Sequence, residues 1–189
     1  MDTSLPRGFD RRDFLIGSGA LVVSFAIPST VFGQGAGADP FAGGKNGTPL
    51  DSIDSWIEVG GDGRVTASVG KIESGMGIST AFAQIVAEEL DVPLDRVAIR
   101  MGDTATTPDQ RGTGASNGIS QGGRALRHAS AEARAVLLSL ASTKLGVPVE
   151  QLSAKDGVVF AAREPSKKAS YAELIGGKRF DVKATGKVK

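Results

Sequence analysis

Apolar and polar positions alternate with period two in Ser55–Val59 and again in Arg64–Val69, the spacing of half-buried strands. Gly60-Gly61-Asp62-Gly63 lies between them and supplies residues that accept positive φ, so the pair predicts a β-hairpin. The period changes after Gly77. Ile78, Ala81, Phe82, Ile85, Val86 and Leu90 form one apolar stripe at helical spacing, stopped by Pro93. Arg96–Met101 returns to alternation and predicts a third strand. Leu126, Ala129, Ala133, Val136, Leu137, Leu140 and Ala141 then predict a second, longer helix that Gly146-Val147-Pro148 ends. Leu152, the turn at Lys155-Asp156-Gly157 and Val158–Phe160 predict a short hairpin. Ser170 with Glu173 three residues later predicts a capped helical turn through Ile175. The order β-β-α-β-loop-α-β-α is an α+β fold, a small mixed sheet with packed helices.

Two stretches escape both periods. Residues 70–77 read GKIESGMG, and residues 102–123 read GDTATTPDQRGTGASNGISQGG. The second has almost nothing to bury, and structureless loops of that length inside a compact domain are usually functional or disordered. Each runs into a predicted helix. Unpaired helix N–H groups beside glycines that permit close approach predict an anion site, with Arg111, Arg124 and Arg127 adding charge. No Gly-Lys-Ser/Thr follows the glycines and no G-x-G-x-x-G joins strand to helix, so neither nucleotide fingerprint applies. The plainer alternative is a pair of connecting loops with Gly75 and Gly77 as turn residues. Glu73 and Asp103 are candidate acids, His128 reads as a polar helix-surface residue, and Trp56 as a core anchor.

Composition narrows the chemistry. With no cysteine and one histidine among 189 residues, the chain offers no thiolate cluster and no His-rich metal site. Its 22 basic and 21 acidic residues argue against a nucleic-acid-coating surface. Arg11-Arg12, followed by Phe14-Leu15 and an apolar run to Ile27, reads as a twin-arginine export signal over residues 1–33. Cleavage is expected after Gly33 or after Ala38. The apolar run of about 14 residues is short of the ~20 a membrane span needs, so a periplasmic protein without a stable membrane span is expected. Residues 34–52 read as a Gly/Ala/Pro-rich linker, 53–176 as the folded domain, and 177–189 as a truncated connection to further domains.

From Gly70 to Leu138 the chain, GKIESGMG through MGDTATTPDQRGTG and GGRALRHASAEARAVLL, resembles the molybdenum-cofactor-binding large subunit of the xanthine dehydrogenase family. The branch it is most similar to is the exported isoquinoline 1-oxidoreductase and nicotinate or aldehyde dehydrogenase type, over about Ser55 to Ile175. The family's first loop often reads Met-Gly-Gln-Gly. Ser74-Gly75-Met76-Gly77 stands there, so the resemblance implies that Gly75, Met76 and Gly77 approach the cofactor without a glutamine contact. Thr113, Gly114, Ala115, Ser116, Asn117 and Gly118 match the segment that holds the pyrophosphate of a molybdopterin dinucleotide, expected in its cytosine form, and Gly122-Gly123 opens the next helix. The family's catalytic Gly-x-Gly-Glu is not matched, so no catalytic residue and no protein metal ligand is assigned. The resemblance implies the N-terminal part of a periplasmic molybdenum hydroxylase acting on an N-heterocycle or aldehyde, inactive by itself. Its expected partners are the remaining large-subunit domains, an iron–sulfur small subunit and a cytochrome c acceptor. The competing reading is a non-catalytic exported binding module or a degenerate remnant.

Overall fold

A computed structural model describes residue 41 and residues 47–187. The export signal and most of the expected linker lie outside the described residues. The predicted hairpin forms from β1 (Ile57–Val59) and β2 (Val65–Val69), antiparallel with Ile57 opposite Ala67. α1 (Ile78–Leu90) follows and returns the chain to β3 (Val97–Met101), which runs parallel to β2. That crossover is what parallel pairing requires. It sets β2 in the middle of the order β1-β2-β3, and Val65, Ala67, Ser68 and Val69 are all buried there.

The α+β class holds, but the strands divide into two sheets instead of one. β4 (Leu152–Lys155), β5 (Val158–Ala161) and β6 (Glu164–Ser170) form a separate antiparallel meander. β6 has no apolar alternation to betray it, because Glu164 to Lys168 is an exposed edge that buries nothing before Ala169. α2 (Arg124–Leu145) joins the halves, touching β1 of the first sheet and β4 and β6 of the second. Its Leu126, Ala129, Ala133, Leu137 and Ala141 are buried, the stripe expected from their spacing. α3 (Tyr171–Ile175) starts on the expected capping box between Ser170 and Glu173.

The domain is wider than its strands suggest. Within the stretch read as linker, Thr48 bridges to Pro108, Ser52 bridges to Lys183, and Leu50 O accepts from the buried Trp56 Nε1 at 3.0 Å. Within the stretch read as an open connection, Phe180 and Ala184 are buried. Asp54 accepts from the N–H groups of Phe180 and Asp181, and the buried Glu132 accepts from Thr185 N and Oγ1. Carboxylates on distant elements thus hold the tail where apolar patterning is weak.

Tyr171 secures the second sheet to α1. Its hydroxyl donates to the buried Leu90 carbonyl at 2.7 Å, while Gly157 N–H donates to Asp91 O at 2.8 Å. Burial pushes the Tyr171 phenol up to about 12. A raised phenol stabilises the fold below its ordinary value near ~10, and this contribution is lost as pH rises through about 12. Tyr171→Phe should cost ~1–3 kcal/mol, the penalty of a buried carbonyl left without a donor, and should flatten the alkaline limb of denaturation curves. An unchanged midpoint in urea at neutral pH would refute the joint.

Candidate functional site

β2 and β3 end side by side, Val69 opposite Met101, and both glycine loops leave from that carboxyl edge. In α/β arrangements such an edge is where ligands gather. The loops interlock at once. Gly70 N–H donates to Gln110 Oε1 at 3.0 Å and Ile72 N–H to Thr113 Oγ1 at 3.0 Å. Between them Lys71 turns inward and is 0% exposed. Its Nζ donates to Gln110 O at 2.9 Å and Gly112 O at 3.0 Å. Burial lowers the Lys71 pKa, and the nearby Asp109 carboxylate opposes that shift. Asn117 braces the same turn from the other side, donating to Gly112 O at 3.0 Å and accepting from Gly114 N–H at 3.1 Å.

The start of α1 is not an open anion site. Glu73 occupies it, its carboxylate accepting from the N–H groups of Met76, Gly77 and Ser79 at 2.6, 3.1 and 3.0 Å. These bonds, Ser79 first, hold the Glu73 carboxyl below the usual carboxylate range. Asp103 is held low in the same way, first by the Thr106 hydroxyl and then by Ala105 N–H. Both candidate acids are therefore ionised loop braces rather than proton donors. Glu73→Gln should speed amide exchange at Met76, Gly77 and Ser79 and leave β2 amides unchanged. The wild-type protection should fade as pH falls through the depressed Glu73 value, since the bonds need the carboxylate.

The second helix begins earlier than its stripe implies. A π-helical turn, Gly118–Gly123, runs without a break into α2, a rare geometry often found at functional sites. It buries three of the expected cofactor glycines. A Cβ on Gly118 would lie 2.2 Å from Ile78 Cδ1, one on Gly122 2.8 Å from Lys71 Cγ, and one on Gly123 3.1 Å from Ile85 Cδ1. Gly118, Gly122 and Gly123 thus pack the turn against α1 and Lys71.

Gly75, Met76, Gly77, Gly114, Ala115 and Ser116 are exposed, whereas Thr113 and Asn117 are half-buried and bonded within the loops. Around Gly75, Gly77 and Gly114 nothing lies within 4 Å of where a Cβ would stand. Gly75 and Gly77 need their glycine, with φ of 85° and 69°. Met76 is 63% exposed. Arg111, Ala115 and Ser116 hold left-handed φ of 62°, 47° and 57°, each a strain of ~1–2 kcal/mol for a residue with a side chain. Such strain concentrates in ligand clamps. Between the loops lies a cavity of about 390 Å³ lined by Gly70, Ile72, Asp103, Arg111, Gly112 and Thr113 among others. Of the three arginines expected to serve an anion, only Arg111 is there. Arg124 and Arg127 line a separate groove between α1 and α2, where Arg127 is ion-paired with Glu89. His128 is half-buried on α2.

Residues 16–189 match the family described as the molybdopterin cofactor-binding domain. The chain belongs to that family. One component of the nicotinate dehydrogenase of Pseudomonas putida is 44% identical over 127 residues, which are 67% of this chain and 10% of that protein. The beta component of the isoquinoline 1-oxidoreductase of Brevundimonas diminuta is 33% identical over 177 residues, 87% of this chain and 21% of that one. This molybdopterin-binding chain therefore spans about a tenth and about a fifth of the length of these two relatives. Among solved structures it is similar to CO dehydrogenase from Oligotropha carboxidovorans, with a TM-score of 0.57 and 30% identity over 62% of this chain and 15% of that one. Quinoline 2-oxidoreductase from Pseudomonas putida 86 gives a TM-score of 0.52, also at 30% identity, over 62% of this chain and 15% of that one.

The residues that shape this edge include two that its glycine motifs conceal, Lys71 and Gln110. A signal existed for Lys71. It continues the inward register of the central strand past Val69, where a lysine demands a polar partner.

Proposed function

We propose that this chain forms the part of a periplasmic molybdenum hydroxylase large subunit that cradles a molybdopterin dinucleotide, in its cytosine form, for oxidative hydroxylation of an N-heterocycle or an aldehyde. The observation that carries the reading is the strained, outward-facing turn around Gly114, braced from beneath by Lys71 and Asn117 and set beside a cavity of about 390 Å³. That turn fits the cofactor's anionic part. Its glycines leave room for close approach and the Thr113 and Ser116 hydroxyls can donate, while Arg111 stands in a cavity wall that also carries the Asp103 and Asp109 carboxylates.

Glu73 assigns the two loops different work. An anion at the α1 N-terminus would meet a carboxylate already hydrogen-bonded there, so the pyrophosphate belongs to Thr113, Gly114, Ala115 and Ser116. Gly75, Met76 and Gly77 lie on the other loop, open and exposed, and suit an uncharged face of the ligand. When bound, the molybdenum centre supplies transfer of a water-derived oxygen to a C–H carbon with removal of two electrons. The residues of this chain bind and orient. The pterin, rather than a side chain of this chain, would hold the metal.

With no cysteine in the chain, iron–sulfur clusters would belong to a small-subunit partner and electrons would pass on to a cytochrome c. Catalysis further needs the remaining large-subunit domains. No helix among the described residues is long and apolar enough to cross a membrane, and export in folded form rests on the twin-arginine motif. The test is oxidation of nicotinate, isoquinoline and an aromatic aldehyde with a dye acceptor, using protein purified with its natural partners from hosts grown on molybdate or on tungstate. Turnover of one of these substrates in the molybdate preparation alone is expected. Absence of turnover in both favours the non-catalytic module.

A further inference from the structure

Lys71 is a buried charge at the loops that their glycine motifs leave unexplained. Burying an ammonium is costly unless it is fully hydrogen-bonded, and an apolar side chain of similar length would fill the same space beneath Gly122 at less cost. What the lysine adds is directional. Its Nζ draws the carbonyls of Gln110 and Gly112 inward, at 2.9 and 3.0 Å, while Asn117 Nδ2 holds the Gly112 carbonyl a second time. A trans peptide is planar, so its N–H points opposite to its C=O. With the Gly112 carbonyl turned to Lys71, the N–H of Thr113 points away from it, on a loop that lines the cavity. Left to itself, the Gly112–Thr113 peptide has little to prevent rotation, because glycine tolerates either orientation.

Building on the cofactor reading above, we infer that Lys71 is a positioning residue for the dinucleotide: it turns the Gly112 carbonyl inward so that the Gly112–Thr113 peptide offers the Thr113 N–H, rather than an acceptor oxygen, to the ligand's phosphates. The lysine does not touch the ligand. Its stem fits only because Gly122 lacks a side chain, a Cβ there standing 2.8 Å from Lys71 Cγ. The carbonyl-bound ammonium and the glycine above it thus form one device, reaching from the end of β2 to the π-helical turn.

The test compares wild type with Lys71→Met, both purified with natural partners from a molybdenum-replete host. Two quantities are read: oxidised pterin released per chain, and amide exchange along residues 110–117. Lys71→Met should retain about tenfold less pterin. Its Thr113 and Gly114 amides should exchange about tenfold faster or more, while those of β2 and β3 stay as in wild type. Equal acceleration throughout β2 and β3 would make Lys71 a general core residue and overturn the inference, as would full pterin content. Should Lys71→Met not fold, Gly122→Ala decides, since it displaces the stem but keeps the ammonium. Faster exchange confined to 112–114 with pterin loss supports the inference, and wild-type behaviour overturns it. A wild-type preparation without pterin overturns the cofactor reading itself, and this inference with it.

Discussion

Gly70→Val is expected to break open the carboxyl edge of the first sheet and to bring cofactor retention down to background. A Cβ at this position would stand 1.8 Å from the Pro108 carbonyl oxygen and 2.8 Å from Gln110 N. Both neighbours are backbone, so neither can swing aside as a side chain would. The added atoms must instead part the two loops, and that removes the bonds of Gly70 and Lys71 to Gln110 together. Overpacking costs ~1–3 kcal/mol where side chains give way, and more where they cannot. Against a domain stability of ~5–15 kcal/mol, the change should show as a lowered thermal midpoint and early proteolysis between residues 102 and 117. A variant with wild-type melting and wild-type protease resistance would mean that the loops do not interlock there.

Gly114→Val should behave in the opposite way, with the fold kept and the cofactor lost. No protein atom lies within 4 Å of the place its Cβ would take, and Gly114 is absent from the positions with positive φ. A Cβ there meets nothing beyond its chain neighbours, so stability should change by no more than ~0.5 kcal/mol, as at an ordinary surface site. Any loss of pterin must then come from the ligand's own claim on that space. Retention should fall by about tenfold or more, a differential of ~1.4 kcal/mol at least. The two glycines stand on facing loops and separate the two roles cleanly. Gly70 makes room for backbone, and on the cofactor reading Gly114 would make room for the ligand.

The elements that bury an apolar face were legible in the sequence. The hairpin at Gly60–Gly63, both long helices, the third strand and the Ser170 capping box follow from period, turn chemistry and a cap, all local properties. β6 was not legible, because a polar edge strand satisfies its backbone by pairing with β5 and leaves no pattern of its own. Nor was the packing of residues 180–186, which depends on Asp54 and Glu132 far away in sequence. Glycine-rich composition singled out the two loops that interlock at the carboxyl edge of the first sheet but blurred the roles of their glycines. Gly118, Gly122 and Gly123 serve close packing beneath the site, whereas Gly75 and Gly114 stand open at its surface. Glu73 read as a candidate acid because spacing alone cannot tell a proton donor from a carboxylate that caps its own helix. Lys71 escaped notice for a related reason. A lysine beside a glycine reads as solvated unless the inward register of β2 is carried past Val69.

Whether the 112–117 turn holds the phosphates of a molybdopterin dinucleotide is tested most directly by composition. The measurement is the molybdenum, pterin and nucleotide content of the protein purified with its natural partners from a molybdenum-replete host, with Gly114→Val prepared in parallel. Molybdenum, pterin and cytidine monophosphate are expected in equimolar amounts in wild type, and all three depleted together in a variant that melts as wild type does. Wild-type protein without pterin or nucleotide, or Gly114→Val with a full complement of both, would contradict it.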